Sequence, residues 1–199
     1  MLLVDWGPVS AWAAAIATFT VALVALLASL RVLEALGGPN IRITFEQREP
    51  WCREATTRDG TRALWVRVGV ENTGRDTAQG CIGRMTSLRT GGVLRADVDP
   101  LQLRWAGTPR ALGFHAVDLR RDQREFLNVL LRPACRHWRI ETFERTDFDP
   151  GFATELSAEH EHAIEIAVFA HNAHTVARLL VIRVGEEDGS VAIHLRSAA

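Results

Sequence analysis

The sequence predicts a mainly β protein: an antiparallel two-sheet sandwich preceded by one N-terminal transmembrane α-helix. Two observations carry this expectation. Residues Trp6 to Leu30 form 25 successive positions without a charge. After residue 40 the apolar residues alternate with polar ones in ten short runs over 160 residues, divided by glycine, proline and aspartate, a pattern that suits two packed sheets. The chain divides into an anchor and linker over 1–39 and a β domain over 40–199. With 199 residues, 47% of them hydrophobic, and a formal net charge of −1, it is long enough to bury a core. That composition excludes a disordered tail, a polytopic membrane protein and a histone-like nucleic-acid binder.

The uncharged stretch WGPVSAWAAAIATFTVALVALLASL reaches roughly 37 Å as a helix, against a hydrocarbon core of about 30 Å. Gly7 and Pro8 suit its first turn, Trp6 and Trp12 suit a membrane interface, and Gly37-Gly38-Pro39 marks a break after it. A cleaved signal peptide would carry a basic n-region, whereas Asp5 is the only charge ahead of the run. A buried core helix would be shorter and striped with polar residues; here the polar groups are the hydroxyls of Ser10, Thr18, Thr20 and Ser29, which can bond back to helix carbonyls. The bilayer is therefore the expected partner of residues 6–30. Arg31, Arg42 and Arg48 follow the span and no basic residue precedes it, which leads us to expect the C-terminal domain on the cytoplasmic side of the membrane. An exported domain tethered to the outer face is the alternative.

In the β domain, Ile41, Ile43 and Phe45 alternate with Arg42, Thr44 and Glu46, and Leu64, Val66, Val68 and Val70 alternate with Trp65, Arg67 and Gly69. Each run offers one face to a core. Further strands are expected at 78–88, 101–105, 115–119, 125–131, 138–143, 163–170, 175–184 and 190–196. The segment 118–131 also fits a helix ended by Pro133, and is read as strand, turn over 120–123, strand. Residues 143–157 lack a period and read as a loop. A hairpin is expected through His171-Asn172-Ala173-His174, with Asn172 tolerating a left-handed conformation, and a turn at Glu186-Glu187-Asp188-Gly189 leads to the last strand.

The segment Val66-x-Val68-x-Val70-Glu71-Asn72-Thr73-Gly74-x-x-x-Ala78-x-x-Cys81 resembles the strand, turn and strand of bacterial immunoglobulin-like, CARDB-type β-sandwich domains, in which an N-x-G turn joins two core strands. The resemblance covers about 20 residues. The whole layout is also similar to single-pass bacterial membrane proteins. These resemblances imply an immunoglobulin-like fold and a membrane location, with interaction rather than catalysis as the usual employment, and they bring no catalytic residues.

The residues themselves narrow the chemistry further. All 23 basic residues are arginine and tyrosine is absent, so no lysine nucleophile, Schiff base or tyrosine acid is available. Cys52, Cys81 and Cys135 are odd in number and far apart, which argues against a disulfide framework or zinc ribbon and suits a reducing compartment. No phosphate-binding loop, dinucleotide fingerprint, hydrolase elbow, zinc-protease motif or EF-hand occurs. His160-x-His162 and His171-x-x-His174 have ligand-like spacings, but a strand over 163–170 would hold the pairs roughly 25 Å apart. His160 and His162 with His194 define a possible hydrolase or metal site; solvated residues at strand ends explain them more simply.

Asp97 with Asp99, Asp147 with Asp149, and Glu186 to Asp188 suit calcium in an exported domain, and suit tight turns better. Arginines 120, 121, 124, 132, 136 and 139 suggest a basic strip, yet the domain balances 22 arginines against 22 acids, with no net pull on nucleic acid. Trp51, Trp65, Trp105 and Trp138 read either as a glycan platform or as core filling. No catalytic, cofactor-binding or metal-binding residue, and no cofactor, is assigned. The expected function is a non-enzymatic, membrane-anchored protein-interaction or scaffold module with a protein partner, the alternatives being an exported glycan- or calcium-dependent binder and a hydrolase.

Overall fold

A computed structural model of the chain describes residues 9–29, 38–56, 60, 62–95, 100–108, 112–133, 137–140, 155–185 and 190–197. The chain forms two compact units, residues 1–38 and 39–199.

The first unit contains α1, Val9–Ser29, 21 residues long. Its side chains are described from Trp12 to Ala25. Trp12, Ile16, Phe19, Val21, Leu23 and Val24 are all exposed apolar residues. Two of its hydroxyls bond backward as expected, Thr18 Oγ1 to Ala14 O at 2.9 Å and Thr20 Oγ1 to Ile16 O at 2.8 Å. The transmembrane part of the expectation is not reproduced at this level: among the described residues no helix is long and apolar enough to cross a membrane.

The second unit is two antiparallel sheets, as predicted. Sheet I contains β1 (Ile41–Thr44), β2 (Cys52–Thr56), β3 (Arg62–Asn72), β7 (Arg104–Trp105), β9 (Arg124–Pro133) and β10 (Arg139–Ile140). Strands β1 and β2 share one edge of β3, β9 lies on its other side, and β7 and β10 share the far edge of β9. Sheet II contains β4 (Ala78–Thr90), β5 (Val93–Leu94), β6 (Leu101–Gln102), β8 (Val117–Leu119), β11 (Glu161–Ala170), β12 (Ala173–Val184) and β13 (Val191–Ser197). Its order is β13-β12-β11-β4, with β5, β6 and β8 dividing the far edge of β4.

The alternating runs become the facing surfaces of the sandwich. Val66, Val68 and Val70 of sheet I meet Met85, Leu88, Ile164, Ile166, Val168, Leu180 and Ile182 of sheet II in one fully buried core. The chain switches sheets at buried Leu103, between β6 on β4 and β7 on β9. At the opposite side, Gln47 Nε2 donates to Val191 O at 2.7 Å. Residues 118–131 form strand, turn and strand, the turn carried by Asp122 at φ 58°. The N-x-G segment does more than turn. Buried Asn72 accepts at Oδ1 from Asn40 N and Gly74 N (3.1 and 3.0 Å) and donates from Nδ2 to Asp76 O and Leu119 O (2.7 and 2.8 Å).

Two details differ from expectation. The β11–β12 hairpin closes in two residues, His171-Asn172, with Ala170 paired to Ala173. Asn172 is not left-handed, since Asp122 is the only non-glycine with positive φ among the described residues. Its amide instead ties the hairpin tip to the β3–β4 connection, accepting from Gln79 N at 2.9 Å and donating to Thr77 O at 3.0 Å. Residues 141–154 and 186–189, and with them most of the expected loop over 143–157 and the Glu186–Gly189 turn, lie outside the described residues.

Candidate functional site

The histidines separate into structural roles. His162 is 2% exposed and both ring nitrogens are occupied, Nδ1 facing Thr90 Oγ1 at 3.1 Å and Nε2 facing Ser157 O at 2.9 Å. A carbonyl only accepts, so Nε2 carries the proton and Nδ1 receives the Thr90 hydroxyl. Burial pushes the His162 pKa below its ordinary value; nearby His160 and Arg95 act the same way, and the Ser157 carbonyl opposes them. His162 shares a cross-strand row with Ile182 and Ile193, both in the core, whereas His194 pairs with Val181 in the next row and is exposed on the other face. The three-histidine site is therefore not assembled. His160 lies against Gly91 and within 3.4 Å of Ser157 Oγ, and His171 covers Gly80. Among the described residues no group of three His, Cys, Asp or Glu side chains can hold a metal ion.

The other candidates thin out in the same way. Asp97, Asp99, Asp147, Asp149 and Glu186 to Asp188 lie outside the described residues, as do Cys135 and Arg136. Burial pushes the Cys52 thiol up and the Cys81 thiol to about 11; in Cys81 a hydrogen bond to the Leu119 backbone lowers it and Asp118 adds to the rise. Neither is a ready thiolate nucleophile. Trp51, Trp105 and Trp138 are buried, so they cannot make a glycan platform, and Trp65 alone of the four is half-exposed. The expected arginine strip is split between ends of β9 about 26 Å apart. Arg124 bonds Glu71 at 2.8 Å and lies 5.6 Å from the Trp51 ring, while Arg132 lies 5.2 Å from the Trp138 ring.

A different arginine group comes together on the outer face of sheet I. Val66 and Val68 point into the core, so Trp65 and Arg67 point outward; Trp105 is buried, so Arg104 points outward. The register sets Arg67 opposite Asn128 and Asn128 opposite Arg104, a single row across β3, β9 and β7. Arg53 of β2 stands opposite Trp65, on the diagonal from Arg67. Arg67 Nε donates to Asn128 Oδ1 at 3.0 Å. Arg104 donates to Thr108 O at 2.9 Å, its stem runs where a side chain on Gly113 would stand, and its Nε is buried without a hydrogen bond.

Neighbouring glutamates are already engaged: Glu46 with Arg48, Glu54 with Arg62, and Glu71 with Arg124. Among the described residues no carboxylate forms an ion pair with Arg53, Arg67 or Arg104. Burial lowers the Arg67 pKa, and the like charges of Arg53 and Arg104 lower it further. Just above this row, Trp51 packs edge-on against Phe126, with ring centroids 5.8 Å apart, and lies over Gly69. Sequence reasoning missed the cluster because its members stand on three strands, and a bulge in β9 between Asn128 and Leu130 sets their register.

No protein-family model and no curated protein matches the chain.

Proposed function

We propose that the chain is a non-enzymatic interaction module on an immunoglobulin-like sandwich, tethered by α1 to a bacterial inner membrane with its β domain in the cytoplasm. The observation that carries the reading is the division of labour among polar side chains. His162 and Asn72 are consumed in internal hydrogen bonds, whereas Arg53, Arg67 and Arg104 stand on an outward sheet face with no ion pair to an acid among the described residues. Such a face suits recognition of a partner better than bond-making chemistry. What supports the tether is the run of 25 successive uncharged residues from Trp6 to Leu30.

Protease digestion of intact spheroplasts tests the arrangement. The β domain is expected to stay with the membrane pellet and survive external protease until the bilayer is permeabilised. Digestion from outside would overturn the orientation, and recovery of the whole chain in the soluble fraction would overturn the tether.

A further inference from the structure

We infer that Arg53, Arg67 and Arg104 on the outer face of sheet I, with Arg67 braced from beneath by buried Asn128, bind an acidic peptide segment with carboxylates on alternate residues of an extended partner strand. This deepens the interaction-module reading and rests on it. Like charges held side by side on a sheet repel one another, and here no acid of the described residues neutralises them. The guanidinium groups are held apart rather than free to converge, since Arg67 is fastened to Asn128 and Arg104 to Thr108 O. Separate anchored forks suit several carboxylates better than one small ion.

The spacing agrees. Arg53 and Arg67 are diagonal neighbours, about 7–8 Å apart. Arg67 and Arg104 are two strand spacings apart, about 10 Å. Alternate side chains of an extended peptide recur every ~6.6 Å, within reach of both steps for flexible glutamates. Half-exposed Trp65 stands beside Arg53 and offers an apolar flank. A long polyanion is a poorer occupant, because arginines and acids balance over the domain and supply no long-range attraction.

The test uses the full chain in mild detergent and a fluorescein-labelled peptide of alternating glutamate and serine, read by anisotropy. Binding is expected to weaken about tenfold between roughly 50 mM and 300 mM salt, and the glutamine counterpart peptide should not bind. The Arg67→Gln/Arg104→Gln pair should cost about tenfold or more in affinity, the corresponding lysine pair should recover part of it, and Arg183→Gln/Arg196→Gln on sheet II should leave binding unchanged. Circular dichroism melting confirms that each variant is folded. Equal loss from the sheet II pair, or retention of affinity by the folded sheet I pair, would overturn the assignment. Displacement of the peptide by millimolar inorganic phosphate or by phosphatidylglycerol in mixed micelles would also overturn it, in favour of a small-anion or lipid-facing site. Because the assay is carried out in detergent, loss of the membrane tether in cells does not affect its outcome.

Discussion

At the scale of single residues, buried Asn72 ties three parts of the fold together. Its four side-chain hydrogen bonds join the start of β1, the β3–β4 turn and the end of β8, and its own N–H and C=O engage Gln123 and Asp122. Asn72→Ala strands two carbonyls and two N–H groups near the core, so a loss of about 3 kcal/mol in urea unfolding is expected. The N-x-G pattern announced a turn, but nothing in one sequence shows that the asparagine amide reaches Asn40 and Leu119.

His162 makes stability depend on pH. Its folded pKa lies below the ordinary value of about 6.5, so the folded state disfavours the added proton. The stabilisation is complete above that pH and declines as pH falls through the folded value. The groups around it are Thr90, Ser157, His160 and Arg95. A His162→Gln variant, which cannot titrate, should show a flatter fall in unfolding free energy between about pH 7 and pH 5 than the parent chain; parallel curves would contradict this.

At the scale of elements, the two sheets come close together where Gly83 of β4 faces Leu127 of β9. A side-chain carbon on Gly83 would stand 2.2 Å from Leu127 Cδ1 and 3.0 Å from its Cγ. Leu127 is fully buried and cannot swing aside, so Gly83→Ala should cost about 2 kcal/mol by denaturant titration. At the hairpin tip, Asn172→Ala removes the two bonds to Thr77 and Gln79 and should cost about 1 kcal/mol while leaving the β11–β12 register intact. Long strands such as β3, β4, β11 and β12 were legible because they alternate between core and surface. Short β1 and β8 also fall where strands were expected, but two short strands were not legible: β2 has little beyond Cys52 and Ala55 to mark a face, and β5 is two exposed residues paired with β4.

For the molecule as a whole, periodicity revealed the two-sheet architecture, because burying one face of each strand leaves a trace in the order of residues. Pairing leaves no such trace. Arg53, Arg67 and Arg104 are scattered through the chain and meet only through the register of β2, β3, β9 and β7, so the surface proposed to take a partner was invisible, while His160, His162 and His194, close in pattern, fall on opposite faces. The proposed tether belongs to this scale too, since it would decide where the arginine face is displayed. The most direct measurement is vesicle flotation of the purified full chain under alkaline carbonate, beside a Val21→Arg/Val24→Arg variant of α1. The parent chain should float with the vesicles and the variant should remain below, because arginines near a helix centre cost roughly 3 kcal/mol each in the bilayer. A parent chain that stays in the aqueous layer would contradict a membrane-held interaction module.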